Sequence, residues 1–294
     1  MHRFSIKDME ALTGIKAHTL RIWEQRYKIP KPRRTSTNIR YYDDDDLKLL
    51  LNISLLNNEG SRISDIVKLT QEEINRRVLE YSGRSHDANI HIQALVTSML
   101  GLDEIAFEKL ISGHIQQRGL EKSFSEIIFP FLRKLGQLWM AGSIHPAYEH
   151  FVSNLIRQDL IVATHDLKVK KSRHQWKFLL FLPEGESHEL GLLFANYLIR
   201  SRGHISVFIG QSTPLDELEK IYLKFKPDFL FSSITIDRLQ MAIRQYAEML
   251  IEKFPGSRLI LTGHHAVSSK EKLPPTTLVI ESTEMFLKFL ERSG

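Results

Sequence analysis

The sequence predicts a multidomain chain of α and α/β class, and three observations carry that expectation. Residues 1–42 hold ten Lys/Arg against three Asp/Glu, a local charge of +7 in a chain whose whole net charge is +5. A basic end on a nearly neutral remainder is the footprint of a nucleic-acid-binding module. Residues 88–170 read as four helices with short connections, the pattern of an antiparallel bundle. From residue 176 onward five apolar strand runs alternate with helical stretches, the pattern of a doubly wound parallel sheet. A chain of 294 residues has room for three such modules, expected at 1–80, 88–170 and 176–294.

The head begins with FSIKDMEALTG, where Ile6, Met9 and Leu12 recur at helical spacing and Gly14 stops the helix. IKAHTLRIWEQRYK supplies a second helix with Ile15, Leu20, Ile22 and Trp23 as core candidates. Two helices joined by a short glycine-containing turn make a helix-turn-helix. The prolines of IPKPRR then break the helix, and TSTNIRYYDDDD places turn residues around a short strand pair. DLKLLLNISLLNNEG and ISDIVKLTQEEINRRVLEY are expected as one helix each, with the DDDD run favourable at the N-terminus of the first.

SGRSHDAN at 82–89 is the expected linker into the bundle. Its four helices are IHIQALVTSMLG, DEIAFEKLISGHIQQRG, EKSFSEIIFPFLRKLGQLWMAG and AYEHFVSNLIRQDLIVATHDL, followed by a basic hinge, KVKKSRHQW. The sheet strands are KFLLFLP, ISVFIG, DFLFSSIT, RLILTG and TLVIE, and TEMFLKFLERSG is the last helix.

Composition narrows the function classes. With no cysteine, disulfides, thiolate metal sites and cysteine nucleophiles are excluded. The opening MHRFSIKDME is too polar for a signal peptide, and no apolar run approaches the roughly 18 residues of a membrane span. A cytoplasmic protein that does not enter membranes is expected.

The chemistry concentrates at GESHELG, residues 185–191, where the first apolar strand turns into a helix. Open α/β sheets bind ligands at that junction. His188 there is a metal ligand, a general base or a polar loop residue. Glu186-x-His188-x-x-Gly191 is followed after 41 residues by Ser233-Ile234-Thr235, and after 27 more by Gly263-His264.

Over residues 3–80 the sequence resembles the MerR family of transcriptional regulators, through TG at 13–14, TLRIWEQRY at 19–27 and RRTSTNIRYYDDDDL at 33–47. RIWEQRY is typical of the branch containing CarH-like and MlrA-like regulators. The resemblance implies a winged helix-turn-helix on double-stranded operator DNA, with its second helix in the major groove. It implies that His18, Thr19 and Arg21 face bases or phosphates, and that Arg34, Asn38, Arg40 and Tyr41 belong to the wing.

The three spaced motifs at 186–191, 233–235 and 263–264 resemble those of flavodoxin-like cobalamin-binding domains. That resemblance implies His188 as the lower axial ligand of cobalt, with Glu186 accepting the other ring N–H to fix the tautomer. It further implies that Gly191 leaves room for the displaced nucleotide tail, that Ser233 hydrogen-bonds that tail with Thr235 also at the cofactor, and that Gly263 lets backbone approach it. In the bundle, Trp139 followed after nine residues by Glu149-His150 resembles the cap of CarH-like photoreceptor regulators, which covers the upper face of the cofactor. Met140, Thr235 and His264 depart from the family pattern, which has histidine, leucine and glycine at those places.

Together the resemblance implies an adenosylcobalamin-dependent, light-sensitive repressor. It is expected to bind a palindromic operator as a homo-oligomer, a dimer or tetramer, in the dark and to leave it after cobalt–carbon photolysis. The rival readings are a regulator of the same architecture that has lost the cofactor, and a cobalamin-dependent enzyme subunit, for which the three modules leave no substrate domain.

Overall fold

The structure, a computed structural model, describes residues 3–85, 87–140, 144–167, 175–237, 239 and 241–291. Its contacts gather the chain into two compact units, Met1–Leu155 and Ile156–Gly294, each with its own core.

The first unit opens with α1 (Ile6–Thr13), where Ser5 and Asp8 form a reciprocal capping box and Gly14 ends the helix at φ 73°. Then α2 (Ala17–Tyr27) buries Leu20 and Trp23. Strands β1 (Arg33–Arg34) and β2 (Arg40–Tyr41) pair antiparallel, Arg33 opposite Tyr41 and Arg34 opposite Arg40. Asp43 caps α3 (Asp44–Asn58) in a second capping box with Asp46, and three acids occupy its first turn, where the helix dipole favours them. Every residue of α3 from Leu50 to Leu56 is buried. Its contacts with α1, with α5 (Gln71–Arg84) and with α6 (Ala88–Leu100) explain that all-round burial. Gln93 on α6 donates to the Leu51 carbonyl at 3.0 Å, so α3 serves the cores of both head and bundle.

The sequence expectation of one helix over 63–81 is corrected. The chain forms α4 (Ile63–Ile66), pauses, and restarts as α5. Thr70 causes the restart: its side chain accepts from the Glu73 amide while Glu73 accepts from the Thr70 amide. Only 85–87 then separate α5 from α6, and His86 in the expected linker lies outside the described residues.

Next come α7 (Glu104–Arg118) and α8 (Leu120–Ser123), a π-helical turn at Phe124–Ile128, α9 (Phe129–Met140) and α10 (Pro146–His165). The π turn has a local cause. Pro130 has no N–H to donate and its ring crowds the carbonyl one turn back, so the preceding backbone widens until the Phe129 amide reaches Phe124 O. The basic hinge expected at 168–176 falls largely at 168–174, outside the described residues.

The second unit carries the predicted sheet. Its strands are β3 (Lys177–Pro183), β4 (Ile205–Thr213), β5 (Phe229–Ser233), β6 (Arg258–Thr262) and β7 (Leu278–Val279). They are all parallel in the order β4-β3-β5-β6-β7, so the chain reverses its winding at β3/β5. On one face, α11 (Leu190–Ser201) and α15 (Thr283–Glu291) cover the sheet, with Phe286 against Phe231. On the other, α12 (Leu215–Phe225) and α13 (Ile243–Lys253) join a core built on Leu179, Phe181, Leu230 and Leu261. A short helix, α14 (His264–Ser268), follows β6. Buried His91, His114 and His204 are satisfied core residues, bonded to Ser85 O, Ser123 Oγ and Leu290 O respectively.

Candidate functional site

The basic head presents the residues that the sequence assigns to DNA. On α2, Leu20 and Trp23 face the core, which turns His18 and Arg21 outward and leaves Thr19 half-buried. Arg34 donates to the Asn38 side chain at 2.8 Å and to the Asn38 carbonyl at 3.3 Å, and Asn38 sits at φ 65°, so these two residues close the hairpin. Arg40 is exposed beside them. Tyr41 is half-buried beneath Arg3, whose guanidinium lies 4.9 Å from its ring centroid. Sequence reasoning missed two supports of this surface. Arg33 pairs with the buried Asp43 cap of α3, and the buried Tyr42 hydroxyl donates to Glu24 on α2. No local sequence signal marks either pair, since each spans separate elements.

The second site lies at the carboxyl edge of the sheet, where β3 and β5 diverge. Glu186 follows β3 and is 4% exposed. Its Oε1 accepts the His188 Nδ1–H at 2.6 Å and the His188 amide at 3.0 Å. Its Oε2 accepts from the Thr235 and Ile236 amides, just beyond β5, at 3.0 and 3.3 Å. Burial pushes the Glu186 carboxyl up, but these donors outweigh it and hold the group down at about 2. Glu186 is therefore an ionised carboxylate that locks the loop after β3 to the loop after β5. With the ring proton on Nδ1, His188 carries its lone pair on Nε2, on a side chain 40% exposed.

Two glycines shape the same edge. A Cβ on Gly191 would stand 3.3 Å from Ser233 Oγ, so the start of α11 lies directly against the end of β5. Gly263 has φ 94°, and a Cβ there would fall 2.5 Å from the Ile234 carbonyl oxygen. That oxygen also accepts from the His265 and Ala266 amides, which ties the turn after β6 to the strand end before Thr235. His264 begins α14 with its side chain exposed. Glu186, His188, Gly191, Ser233, Thr235 and Gly263, named from three separated motifs, thus converge on one sheet edge.

In the first unit, Trp139 lies in the last turn of α9 with 47% of its surface exposed. On α10, Glu149 accepts from Ser153 Oγ at 2.6 Å and lies 3.2 Å from His150 Nδ1. Nothing of the Met140 side chain falls within the described residues. Two residues at the sheet edge escaped sequence reasoning, Arg157 and Glu189, which are 32 positions apart and bonded at 2.5 Å.

A basic winged head joined to a doubly wound sheet with a fixed imidazole at its switch point defines a DNA-binding regulator with an effector domain. Residues 4–73 match the MerR HTH family regulatory protein model. The chain is 30% identical over 266 residues to the HTH-type transcriptional repressor CarH of Myxococcus xanthus, covering 88% of each protein. It is 26% identical over 247 residues to the repressor CarA of the same organism, covering 83% of this chain and 80% of that one. It belongs to the CarH family of MerR-type transcriptional repressors, and the enzyme reading gives way to that of a regulator. Among solved structures, the monomethylamine corrinoid protein of Methanosarcina barkeri superposes with a TM-score of 0.55 at 14% identity. The match covers 67% of this chain and 96% of that one, a likeness of fold. Among the described residues no helix is long and apolar enough to cross a membrane.

Proposed function

We propose that this repressor holds adenosylcobalamin at the carboxyl edge of its sheet, with His188 as the lower axial ligand of cobalt, and that light controls its grip on an operator. The observation that carries the reading is Glu186: one buried, ionised carboxylate sets the His188 tautomer with one oxygen and is itself fixed by the neighbouring loop with the other. Among the described residues no three His, Asp or Glu side chains converge on a common point. A single oriented imidazole suits a metal that arrives with its other ligands already in place.

Gly191 and Gly263 let the backbone pack closely around the strand ends where the nucleotide tail would lie, beside Ser233 and Thr235. His264, at the position of the family's second glycine, is exposed. Trp139, Glu149 and His150 are assigned to the upper face on resemblance. Bound adenosylcobalamin would supply a cobalt–carbon bond that light breaks, and a repressor with different operator affinities before and after becomes a switch. On the DNA, His18, Thr19 and Arg21 enter the major groove while Arg34, Asn38, Arg40 and Tyr41 hold the backbone, on a palindromic site bound by a cytoplasmic homo-oligomer.

The test is a sizing column run in darkness after mixing protein with adenosylcobalamin, repeated after green light. Cobalt absorbance should travel with a protein oligomer, and light should change both spectrum and elution. Corrinoid that separates from the protein in the dark would overturn the proposal.

A further inference from the structure

In the sequence His188 stands between two buried carboxylates, Glu186 and Glu189. Glu186 takes the ring proton. Glu189, 7% exposed, is the residue before α11: its amide donates to Ser187 O at 2.9 Å and its carbonyl accepts from Leu193 at 2.8 Å. A carboxylate buried to that degree needs a counter-charge. It has one: Arg157 Nε donates to Glu189 Oε1 at 2.5 Å from the second half of α10, which belongs to the same unit as the sheet.

We infer that Arg157 is a positioning residue for His188, acting through Glu189; the inference rests on the cobalamin reading above. Loop 186–189 is held at both ends by carboxylates with separate partners. Glu186 is fixed from the β5 side, and its carbonyl accepts the Ser212 amide at 3.2 Å from the end of β4. Glu189 is fixed from α10. With Arg157 in place, Glu189 has its own counter-charge, the loop end stays docked on α10, and the His188 Nδ1–H stays on Glu186. Without it, an uncompensated carboxylate stands one residue from His188. Either the loop shifts to bring Glu189 to water, or Glu189 captures a ring N–H; both outcomes take the Nε2 lone pair out of position.

The experiment uses the full chain, with Arg157→Met, Arg157→Lys and Arg157→Met/Glu189→Gln beside the parent and His188→Ala. Nitrogen-15 histidine NMR of the cofactor-free protein reads the His188 tautomer, and titration with hydroxocobalamin reads affinity. Arg157→Met should reduce the Nδ1–H tautomer and weaken hydroxocobalamin binding by about tenfold, the low end of what losing a direct outer partner of a metal ligand costs, because Arg157 acts one residue further out. Arg157→Lys should fall between. The double variant should return to within about twofold of the parent, because the unpaired charge is gone; the readout that a purely structural role for Arg157 would not move is the His188 tautomer, which should return with it. Parent tautomer and affinity in Arg157→Met would overturn the inference, as would a double variant no better than the single. If the parent binds no corrinoid, or His188→Ala binds as the parent does, the functional reading fails instead, and the tautomer measurement still decides what Arg157 does.

Discussion

Replacing Glu186 with glutamine removes a charge and almost no volume, so it isolates what the carboxylate does for the fold. Both of its oxygens are used, each by two N–H donors. An amide has one oxygen, so its NH2 must face a pair of donors whichever way it turns. The carboxyl titrates at about 2 against an ordinary 4.5. At about 1.36 kcal/mol per pH unit, that difference stabilises the folded protein by roughly 3 kcal/mol. The folded value is the depressed one, so the contribution is fully present above pH about 4.5 and is lost as pH falls toward about 2. Glu186→Gln should therefore lower stability at pH 7 by about 2–3 kcal/mol, or Tm by roughly 4–12 °C, and lose less than the parent on acidification. Urea unfolding of both proteins at pH 7 and pH 3.5 measures this, and the two curves should draw together at the lower pH. A variant within about 0.5 kcal/mol of the parent at pH 7, or one that falls just as steeply with acid, would refute the reasoning.

Gly263→Ala forces a Cβ to within 2.5 Å of a backbone oxygen at a positive φ; a loss of more than about 2 kcal/mol is expected by calorimetry, and a loss below about 0.5 would mean the turn relaxes freely. Tyr42→Phe leaves Glu24 without the hydroxyl of a fully buried ring. The head should lose about 1–2 kcal/mol in urea unfolding, and unchanged stability would show the bond to be dispensable. Arg40→Ala should weaken DNA binding across all sequences and flatten the salt dependence by about one in log–log slope if Arg40 meets one phosphate. An effect confined to one base position would make Arg40 a base reader instead.

The fold was legible where periodicity is strong. The alternation of KFLLFLP, DFLFSSIT and RLILTG with amphipathic helices fixes a doubly wound sheet, because strands buried on both faces read as unbroken apolar runs. The helix break before Thr70 was missed because residues 63–81 keep an apolar rhythm across a capping box whose T-x-x-E pattern was available. The π turn was missed because a single proline does not say which way the backbone will yield. At the sheet edge, motif spacing placed Glu186, His188, Gly191 and Gly263. It could not place Glu189 with Arg157, since an ion pair across 32 residues leaves no mark in local sequence. Nor could it show that the Thr235 contribution is its amide, which any residue there except proline supplies.

The central claim, an imidazole of this chain on cobalt, is tested most directly by electron paramagnetic resonance of the protein with cob(II)alamin. Protein labelled with nitrogen-15 histidine is compared with unlabelled protein, the corrinoid being unlabelled in both. Replacement of the nitrogen-14 triplet splitting by a nitrogen-15 doublet is the expected result, with the doublet absent in His188→Ala. A triplet that persists in the labelled protein would mean that the corrinoid keeps its own base on the metal, and would contradict the account.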